Sequence, residues 1–343
     1  MSGNKGPLFV TLGLFIVDEF EFKDENGEPT GKTLKSQIGG GGTYAVIGAR
    51  MWLPPGRIGM IVDKGYDFPK EIEEKLLGYG EDMWLFRDQP DHPTTRALNS
   101  YHGDYRNFKY LTDRIRITPR DIEGSKLGRP RYIHFICSPK RAKQILSDIQ
   151  EVPEWSPTVI YEPIPDSCVP EALPALKEVL PNVHILSPNA EEALSLLSVP
   201  HSPTRTSIEK AAQTFLDFGV AGGQGWVIIR SGQLGAYVKS RGKEGVWIDA
   251  FWTESEEDAR HVVDVTGAGN SFLGGLAAGL TFSEGDVYEA TLFATVSASF
   301  AIEQGGLPVM TADPQNTDVT NWNGDSPMRR LEKLREKLRK RNE

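Results

Sequence analysis

Short apolar runs alternate with helix-like patterns along most of the chain. Each run is short enough for a buried strand, and several of the intervening stretches repeat apolar positions at helical spacing. The predicted strands lie at residues 8–17, 57–62, 132–136, 158–161, 183–186 and 226–230. This alternation predicts an α/β fold in which a mostly parallel sheet carries helices on both faces.

Helix boundaries are marked in three places by residues that commonly start or stop helices. Serine is a good N-cap, proline suits the first turn, and glycine often follows the last turn. By these signals, one helix begins at the Ser138-Pro139 pair, a second starts at Ser207 and stops at Gly219, and a third covers residues 287–303 and ends at the Gly305-Gly306 pair.

Two half-polar segments interrupt this alternation. Residues 19–38 carry turn-forming residues at 24–29 between two alternating polar and apolar arms, and residues 94–111 repeat the pattern around 102–104. We predict that both segments form a small antiparallel lid over the C-terminal edge of the sheet. A helix in either segment, or a position far from the glycine-rich runs, would contradict this prediction.

The predicted domain organisation is a core with two insertions and a tail. The lid insertions are residues 19–38 and 94–111, and the α/β core comprises residues 1–18, 39–93 and 112–312.

The tail, residues 313–343, is expected to be a polar linker followed by a basic amphipathic helix. Residues 327–343 contain eight Lys and Arg side chains against three Glu, with leucines at helical spacing. Such a helix either packs on the body or on a second subunit, or serves as a basic arm for RNA or a protein partner.

Length and charge narrow the classes of function. A chain of 343 residues can bury one large core, and its net charge of -9 argues against general nucleic-acid or membrane affinity. Only the basic tail is a candidate for nucleic acid. Two cysteines are too few for a disulfide framework, and no apolar run approaches the length of a membrane span. We expect a cytoplasmic protein, with the nucleus as the alternative location.

A glycine-rich turn at residues 264–275 opens onto an apolar helix pattern. Gly267, Ala268 and Gly269 are small enough to let the backbone approach an oxyanion, and the N–H groups at a helix start favour negative charge. A phosphoryl group in transfer fits there, and Asn270 would then lie beside the reacting centre. Since Asn is also a good N-cap, a simple helix start is the alternative.

Two segments near the N-terminus are weaker candidates for substrate contact. Asp18 at the end of the first predicted strand could bind substrate hydroxyls, or it could be an ordinary turn or surface residue. The run Gly40, Gly41, Gly42 and Thr43 precedes a helix-like pattern. It indicates either a close backbone approach to a ligand or a mobile loop.

Two later segments are weaker candidates for nucleotide contact. Asn189 and Glu192 follow a predicted strand at the spacing of a capping pair, and the alternative is that Glu192 orders a metal-bound water near phosphates. The turn containing Arg230, Gly232 and Gly235 follows another strand and could lie against a nucleotide.

In this order, the segments resemble the PfkB, or ribokinase-like, family of sugar and nucleoside kinases over about residues 8–308. The glycine run with Ala45 and Arg50 resembles the family's N-terminal motif, Asn189 and Glu192 its Asn-x-x-Glu motif, and residues 264–269 its anion-hole motif. The long lids and Asn270 look closest to a fungal branch named for maintenance of killer virus.

The resemblance implies ATP-dependent phosphoryl transfer to a hydroxyl of a small sugar or nucleoside. It also implies a Mg²⁺ ion held through water by Glu192 and a monovalent cation, with K⁺ as the candidate, at Asp264. Lids of this type often pair between subunits in the family, so a homodimer through the lid is expected. The acceptor is expected at Asp18 and residues 40–43, and the nucleotide at Asn189, Glu192, Arg230, Gly232 and Gly235.

Two departures from the family pattern divide the functional hypotheses. Thr43 stands where the family usually has Asn, which concerns substrate identity. Asn270 stands where the family has the Asp general base, and general-base catalysis contributes about 10²–10⁴-fold. Because phosphoryl transfer depends mostly on positioning and charge stabilisation, a slow kinase is one hypothesis, and a nucleotide- or sugar-binding pseudokinase is the other. No Gly-x-Gly-x-x-Gly run follows the first strand to favour a dinucleotide-binding enzyme.

Overall fold

The computed structural model describes residues 6–24, 27–102, 105–199, 202–253, 255–312 and 320–342. Their strands are β1 Phe9–Thr11, β2 Ile16–Lys23, β3 Gln37–Gly39, β4 Ile58–Gly65, β5 Trp84–Gln89, β6 Arg96–His102, β7 Tyr105–Tyr110, β8 Tyr132–Cys137, β9 Thr158–Pro163, β10 Ile185–Leu186, β11 Trp226–Arg230, β12 Ala236–Ser240, β13 Val246–Ile248, β14 Met310–Ala312 and β15 Thr320–Trp322. Their α-helices are α1 Gly41–Arg50, α2 Lys70–Leu77, α3 Pro119–Ile122, α4 Pro139–Gln150, α5 Leu173–Val179, α6 Ala190–Leu196, α7 Arg205–Asp217, α8 Glu256–Ala259, α9 Ala268–Phe282, α10 Val287–Ala301 and α11 Pro327–Asn342.

The main sheet has nine strands in the order β13-β12-β11-β10-β9-β8-β1-β4-β5. Every pair from β11 to β5 is parallel, and β12 and β13 complete one edge in antiparallel pairing. Neighbouring residues of β11 belong to different apolar cores: Ile228 packs with α1, α9 and α10, whereas Val227 and Ile229 pack with α4 to α7. The α/β fold with helices on both faces is therefore confirmed.

The lid is a separate four-stranded sheet in the order β3-β2-β6-β7. The two outer pairs are antiparallel, but β2 and β6 run parallel over residues 17–23 and 96–102, so the sheet is mixed and not fully antiparallel as predicted. The return arm of the first insertion is also shorter than predicted, since it pairs with β2 only through β3 and an isolated bridge between Pro29 and Lys23. Residues 25–26 and 103–104 of the two predicted turns lie outside the described residues.

The prediction of one strand over residues 8–17 is wrong. β1 ends at Thr11 in the main sheet, and β2 begins at Ile16 in the lid sheet. Between them the backbone presses on the start of α1, where a Cβ on Gly13 would lie 2.7 Å from the Gly42 backbone nitrogen. Asp18 therefore lies within a lid strand and not at the end of a core strand.

The predicted helix starts are correct for α4 and α10, which begin at Pro139 and Val287, and shifted for α7. Ser138 caps α4 by accepting a hydrogen bond from the Arg141 N–H, as expected. The cap of α7 is Thr204 and not Ser207: the hydroxyl of each accepts a hydrogen bond from the other's backbone N–H, at 3.2 and 2.9 Å. Three residues separate two equally suitable hydroxyls there, and sequence alone does not choose between them.

The region predicted as a linker contains structure that packs on the body. β14 and β15 form an antiparallel pair, and the fully buried Trp322 stacks on Tyr79 at 6.0 Å between ring centroids. α11 buries Leu331 and Leu334 against the core beside α10, which supports the first of the two predictions for the tail. In the described ranges, no helix is both long and apolar enough to cross a membrane.

Candidate active site

The site lies where several main-sheet strands end at their carboxyl edge. Glu162 is the penultimate residue of β9, Arg230 ends β11, and Asn189 follows β10 directly before α6. In open α/β sheets this edge is where ligands bind. Strand order therefore brings together side chains that are far apart in sequence.

Two glycines lie at the start of α9, and a larger residue at either position would displace a neighbouring side chain. Gly267 has φ 76°, and a Cβ there would overlap the ring of Tyr44. A Cβ on Gly269 would overlap Nη1 of Arg230. The backbone thus forms a cradle beside a guanidinium, with the orphan N–H groups of a 15-residue helix at its base.

The two glycine-rich runs meet at this point. α1 begins at Gly41 after Gly40, whose φ is 92°, and a Cβ on Gly41 would lie 3.1 Å from Nδ2 of Asn270. Further along, a Cβ on Gly274 would overlap the carbonyl oxygen of Ala45, so α1 and α9 pack at backbone distance. The predicted substrate loop and the predicted anion turn are therefore neighbours.

Asp18 and Thr43 line the loop on the lid side. Asp18 is buried, and a Cβ on Gly39 would overlap its carboxylate. Thr43 is fully buried, and its Oγ1 has no hydrogen-bond partner within the part of the chain that the structure describes. A buried hydroxyl without a hydrogen-bond partner is uncommon in folded proteins.

Glu162 is at the centre of the site, and the sequence analysis missed it. Its Oε2 accepts a hydrogen bond from Nδ2 of Asn270 at 2.7 Å, and its Oε1 lies 2.8 Å from Nη2 of Arg230. His134 approaches from β8, with Nε2 3.5 Å from Oε2 of Glu162. The available signal was a charged or polar residue within each of two otherwise apolar strands.

Arg230 is shared between two carboxylates with opposite pKa shifts. Its Nη2 also lies 3.7 Å from Oε2 of Glu192. Burial raises the pKa of Glu192 to about 7, because the charge of Arg230 offsets the desolvation only in part. Burial opposes ionisation of Glu162 as well, but the closer guanidinium, with His134 and Asn270, holds the pKa of that carboxyl below its usual value.

Asn189 and Glu192 form a capping box at the start of α6. Glu192 accepts the N–H of Asn189 at 2.7 Å, and Asn189 accepts the N–H of Glu192 at 2.8 Å. The capping interpretation is therefore correct. It uses Oε2 of Glu192, and no described residue forms a hydrogen bond with Oε1.

The remaining predicted residues lie in two tight turns. Gly232 and Gly235 have φ of 55° and 89°, and their turn closes with a 2.7 Å hydrogen bond from the Ser231 N–H to the Gly235 carbonyl. Asp264 accepts the N–H of Thr266 at 2.9 Å. Among the described residues, no three His, Cys, Asp or Glu side chains are grouped to hold a metal ion.

Comparisons with known proteins agree with this geometry. Residues 8–312 match the family model described as pfkB family carbohydrate kinase. The protein MAK32 of Saccharomyces cerevisiae is 35% identical over 346 residues, which cover 94% of this chain and 91% of the yeast protein.

Two solved structures share the fold. Arabidopsis thaliana ribokinase complexed with ribose and ATP has a TM-score of 0.67 at 19% identity, over 95% of this chain and 99% of that one. A candidate ribokinase II from E. coli in complex with ATP and Mg²⁺ has a TM-score of 0.63 at 20% identity, over 96% and 99% of the two chains.

The chain belongs to the pfkB family of carbohydrate kinases, as the resemblance in its sequence predicted. The similarity to MAK32 is consistent with the maintenance-of-killer branch of that family. Its fold is ribokinase-like.

Proposed function

We propose that this protein transfers the γ-phosphoryl group of ATP to a hydroxyl of a small sugar or nucleoside. The observation that carries the proposal is the convergence of two helix starts, those of α1 and α9, on Asn270 and Arg230 at the carboxyl edge of the sheet. Such a cradle of backbone N–H groups beside a guanidinium suits a reaction whose transition state carries charge on phosphoryl oxygens.

The residues present fit a bound nucleotide. Arg230 keeps its Nε buried without a hydrogen-bond partner within the described ranges, and Gly269 is the residue that allows the guanidinium to reach the backbone cradle. The turn at Gly232 and Gly235 borders the same edge, with Asn189 beside it. In this arrangement Arg230 attracts the phosphates, and the α9 N–H groups hold their oxygens.

The residues also fit a magnesium ion carried by the nucleotide. Mg²⁺ usually keeps several waters and binds through one or two carboxylates plus substrate phosphates, and does not need an all-protein cage. Glu192 would hold it through water from Oε1, and the bound ion would offset charge on the phosphates. Asp264 is the proposed site for a monovalent cation, with K⁺ as the candidate.

The acceptor is proposed to lie between the lid and the start of α1. Asp18 and Thr43 offer a carboxylate and a buried hydroxyl to an acceptor's hydroxyl groups, and Gly40, Gly41 and Gly42 allow its close approach. We also propose that the protein is cytoplasmic and forms a homodimer through the lid. A nucleic-acid role for the tail is weaker, since two lysines of α11, Lys337 and Lys333, interact with the carboxylate of Asp258, whose pKa is lowered first by its hydrogen bonds from Thr253 and then by these lysines.

Asn270 motivates a second candidate, a pseudokinase that binds nucleotide or sugar as a scaffold or regulator. An amide at this position cannot keep the proton of the acceptor hydroxyl, so turnover is expected to be slow if residue 270 alone is considered.

Titration calorimetry and an ADP-release assay separate the two candidates. The calorimeter would measure binding of ATP with Mg²⁺ and of ADP, and the assay would test D-ribose and adenosine as acceptors. Binding with acceptor-dependent ADP release supports the kinase. Binding without release under any acceptor supports the pseudokinase, and absence of binding contradicts both.

A further inference from the structure

The site retains a carboxylate one hydrogen bond away from the position where an amide replaces the expected base. Nδ2 of Asn270 donates to Oε2 of Glu162 at 2.7 Å. The two residues are 108 positions apart, so only the fold reveals that they are neighbours. The chemical group missing from residue 270 is therefore present in the cluster.

This hydrogen bond fixes the orientation of the amide. The oxygen of Asn270 would be repelled by the carboxylate of Glu162, so its NH₂ group must face Glu162 and its Oδ1 must point elsewhere. An amide oxygen accepts a hydrogen bond from a hydroxyl but cannot hold the proton. Asn270 is thus suited to orient an acceptor hydroxyl beside Glu162.

Glu162 is suited to the complementary task. Its Oε1 is paired with Arg230, whereas Oε2 accepts the Asn270 hydrogen bond at 2.7 Å and has Nε2 of His134 farther away, at 3.5 Å. Glu162 is buried but not fully enclosed, since 6% of the residue is exposed.

Resting on the proposed function, we propose that Glu162 accepts the proton of the acceptor hydroxyl while Asn270 orients that hydroxyl. The hydroxyl oxygen forms a bond to the γ-phosphorus of ATP, and the bond from that phosphorus to the β–γ bridging oxygen breaks to release ADP. The hydroxyl proton passes to Oε2 of Glu162 and returns to solvent when the products leave. Atoms and charge balance without any further reactant.

The proposal predicts that restoring the family's Asp at position 270 does not by itself help. Asn270→Asp would place two carboxylate oxygens at the 2.7 Å of the present hydrogen bond, and such a pair cannot ionise fully. The useful change is the exchange Glu162→Gln with Asn270→Asp, which keeps one carboxylate and one amide in contact and moves the proton acceptor to residue 270.

The test compares wild type, Glu162→Gln, Asn270→Asp and the double variant, using MgATP with D-ribose and with adenosine. Glu171→Gln is the matched control, because that glutamate is exposed on a turn after β9. We expect Glu162→Gln to lower kcat by about 10²–10⁴-fold, the usual contribution of a general base, while the Kd for MgATP changes by less than about 3-fold. The double variant should recover at least about 10-fold over Glu162→Gln, and Asn270→Asp alone should fall below wild type.

Three results would overturn the proposal. Glu162→Gln could turn over within about 3-fold of wild type, which would leave the kinase function intact and remove Glu162 from it. Glu162→Gln and the double variant could both lose MgATP binding, which would make Glu162 a structural residue only. Wild type could bind MgATP and phosphorylate no acceptor, which would reject the proposed function itself and with it the role of Glu162.

Discussion

Gly269→Ala tests the cradle directly, because the added methyl group would occupy the space of the Arg230 guanidinium. The nearest atom to a Cβ at residue 269 is Nη1 of Arg230, the end of a flexible side chain, so Arg230 is the group that must move. That movement would break its contacts to Glu162 at 2.8 Å and to the carbonyl oxygen of Ser187 at 3.0 Å.

The structure gives the size of the expected effect. Charge-assisted hydrogen bonds contribute about 1.5–3 kcal/mol each, and separating a buried ion pair costs about 3–5 kcal/mol when one charge stays buried. The side chains of Arg230 and Glu162 are only 11% and 8% exposed, so the larger range applies. We expect the free energy of unfolding to fall by about 3 kcal/mol and MgATP affinity to fall at least about 10-fold.

The measurement is urea unfolding together with calorimetric titration of MgATP. Gly56→Ala is the control, since its nearest atom beyond its neighbours is 3.7 Å away and the residue is exposed. Gly269→Ala is then repeated in an Arg230→Ala background, where no guanidinium is left to displace. If the methyl group costs as much there as in wild type, the two changes are additive and the clash with Arg230 is not the cause.

Two further stability predictions rest on buried charges. Burial raises the pKa of Glu192 from 4.5 to about 7 in the fold, so the native state binds more protons than the unfolded state, and this residue should cost about 3 kcal/mol of stability as pH rises from 4.5 through 7. In thermal melts without nucleotide, the Tm of Glu192→Gln should therefore rise relative to that of wild type across this pH range. If the two plots of Tm against pH run parallel, the raised pKa of Glu192 is contradicted. Arg330→Ala should lower the free energy of unfolding by about 3–5 kcal/mol, because the 4%-exposed Arg330 pairs with Glu303 at 2.7 Å and Asp325 at 2.9 Å. Arg329→Ala is the control, and because its side chain is largely exposed it should cost under about 1 kcal/mol. Equal losses for the two variants in urea unfolding would refute this prediction.

Local sequence patterns predicted the parts of the fold that local physics determines. Apolar runs indicate buried strands because both faces of a parallel sheet are covered, and most of the predicted strands are present. The break after β1 was invisible for the same reason: residues 12–15 are as apolar as their neighbours, and only the contact of Gly13 with Gly42 shows why the chain turns there.

Part of the candidate site could be predicted because some of its geometry can be inferred from single residues. Glycines at 267 and 269 are informative alone, since a positive φ or a close approach excludes larger residues. The residue type of Glu162, by contrast, does not by itself indicate a role in the site. Its importance depends on strand order, which places the ends of β9 and β11 close together, and on a partner 108 residues away at Asn270.

The charge balance around Arg230 leads to a last prediction about nucleotide binding. One guanidinium faces the carboxylates of Glu162 and Glu192, and burial leaves Glu192 with a pKa of about 7, so near neutral pH about half of the molecules carry a proton there. A magnesium ion arriving with the nucleotide favours the ionised carboxylate, so binding should expel that proton.

Titration calorimetry at pH 7 in two buffers of different ionisation enthalpy measures this release. We expect the binding enthalpies of MgATP in the two buffers to differ by about half of the difference between the ionisation enthalpies of the buffers, which corresponds to release of about half a proton per site. This difference should vanish in Glu192→Gln. Binding of MgATP with no dependence on the buffer would show that Glu192 does not lie beside the bound ion. In that case the capping box would be the whole role of Glu192.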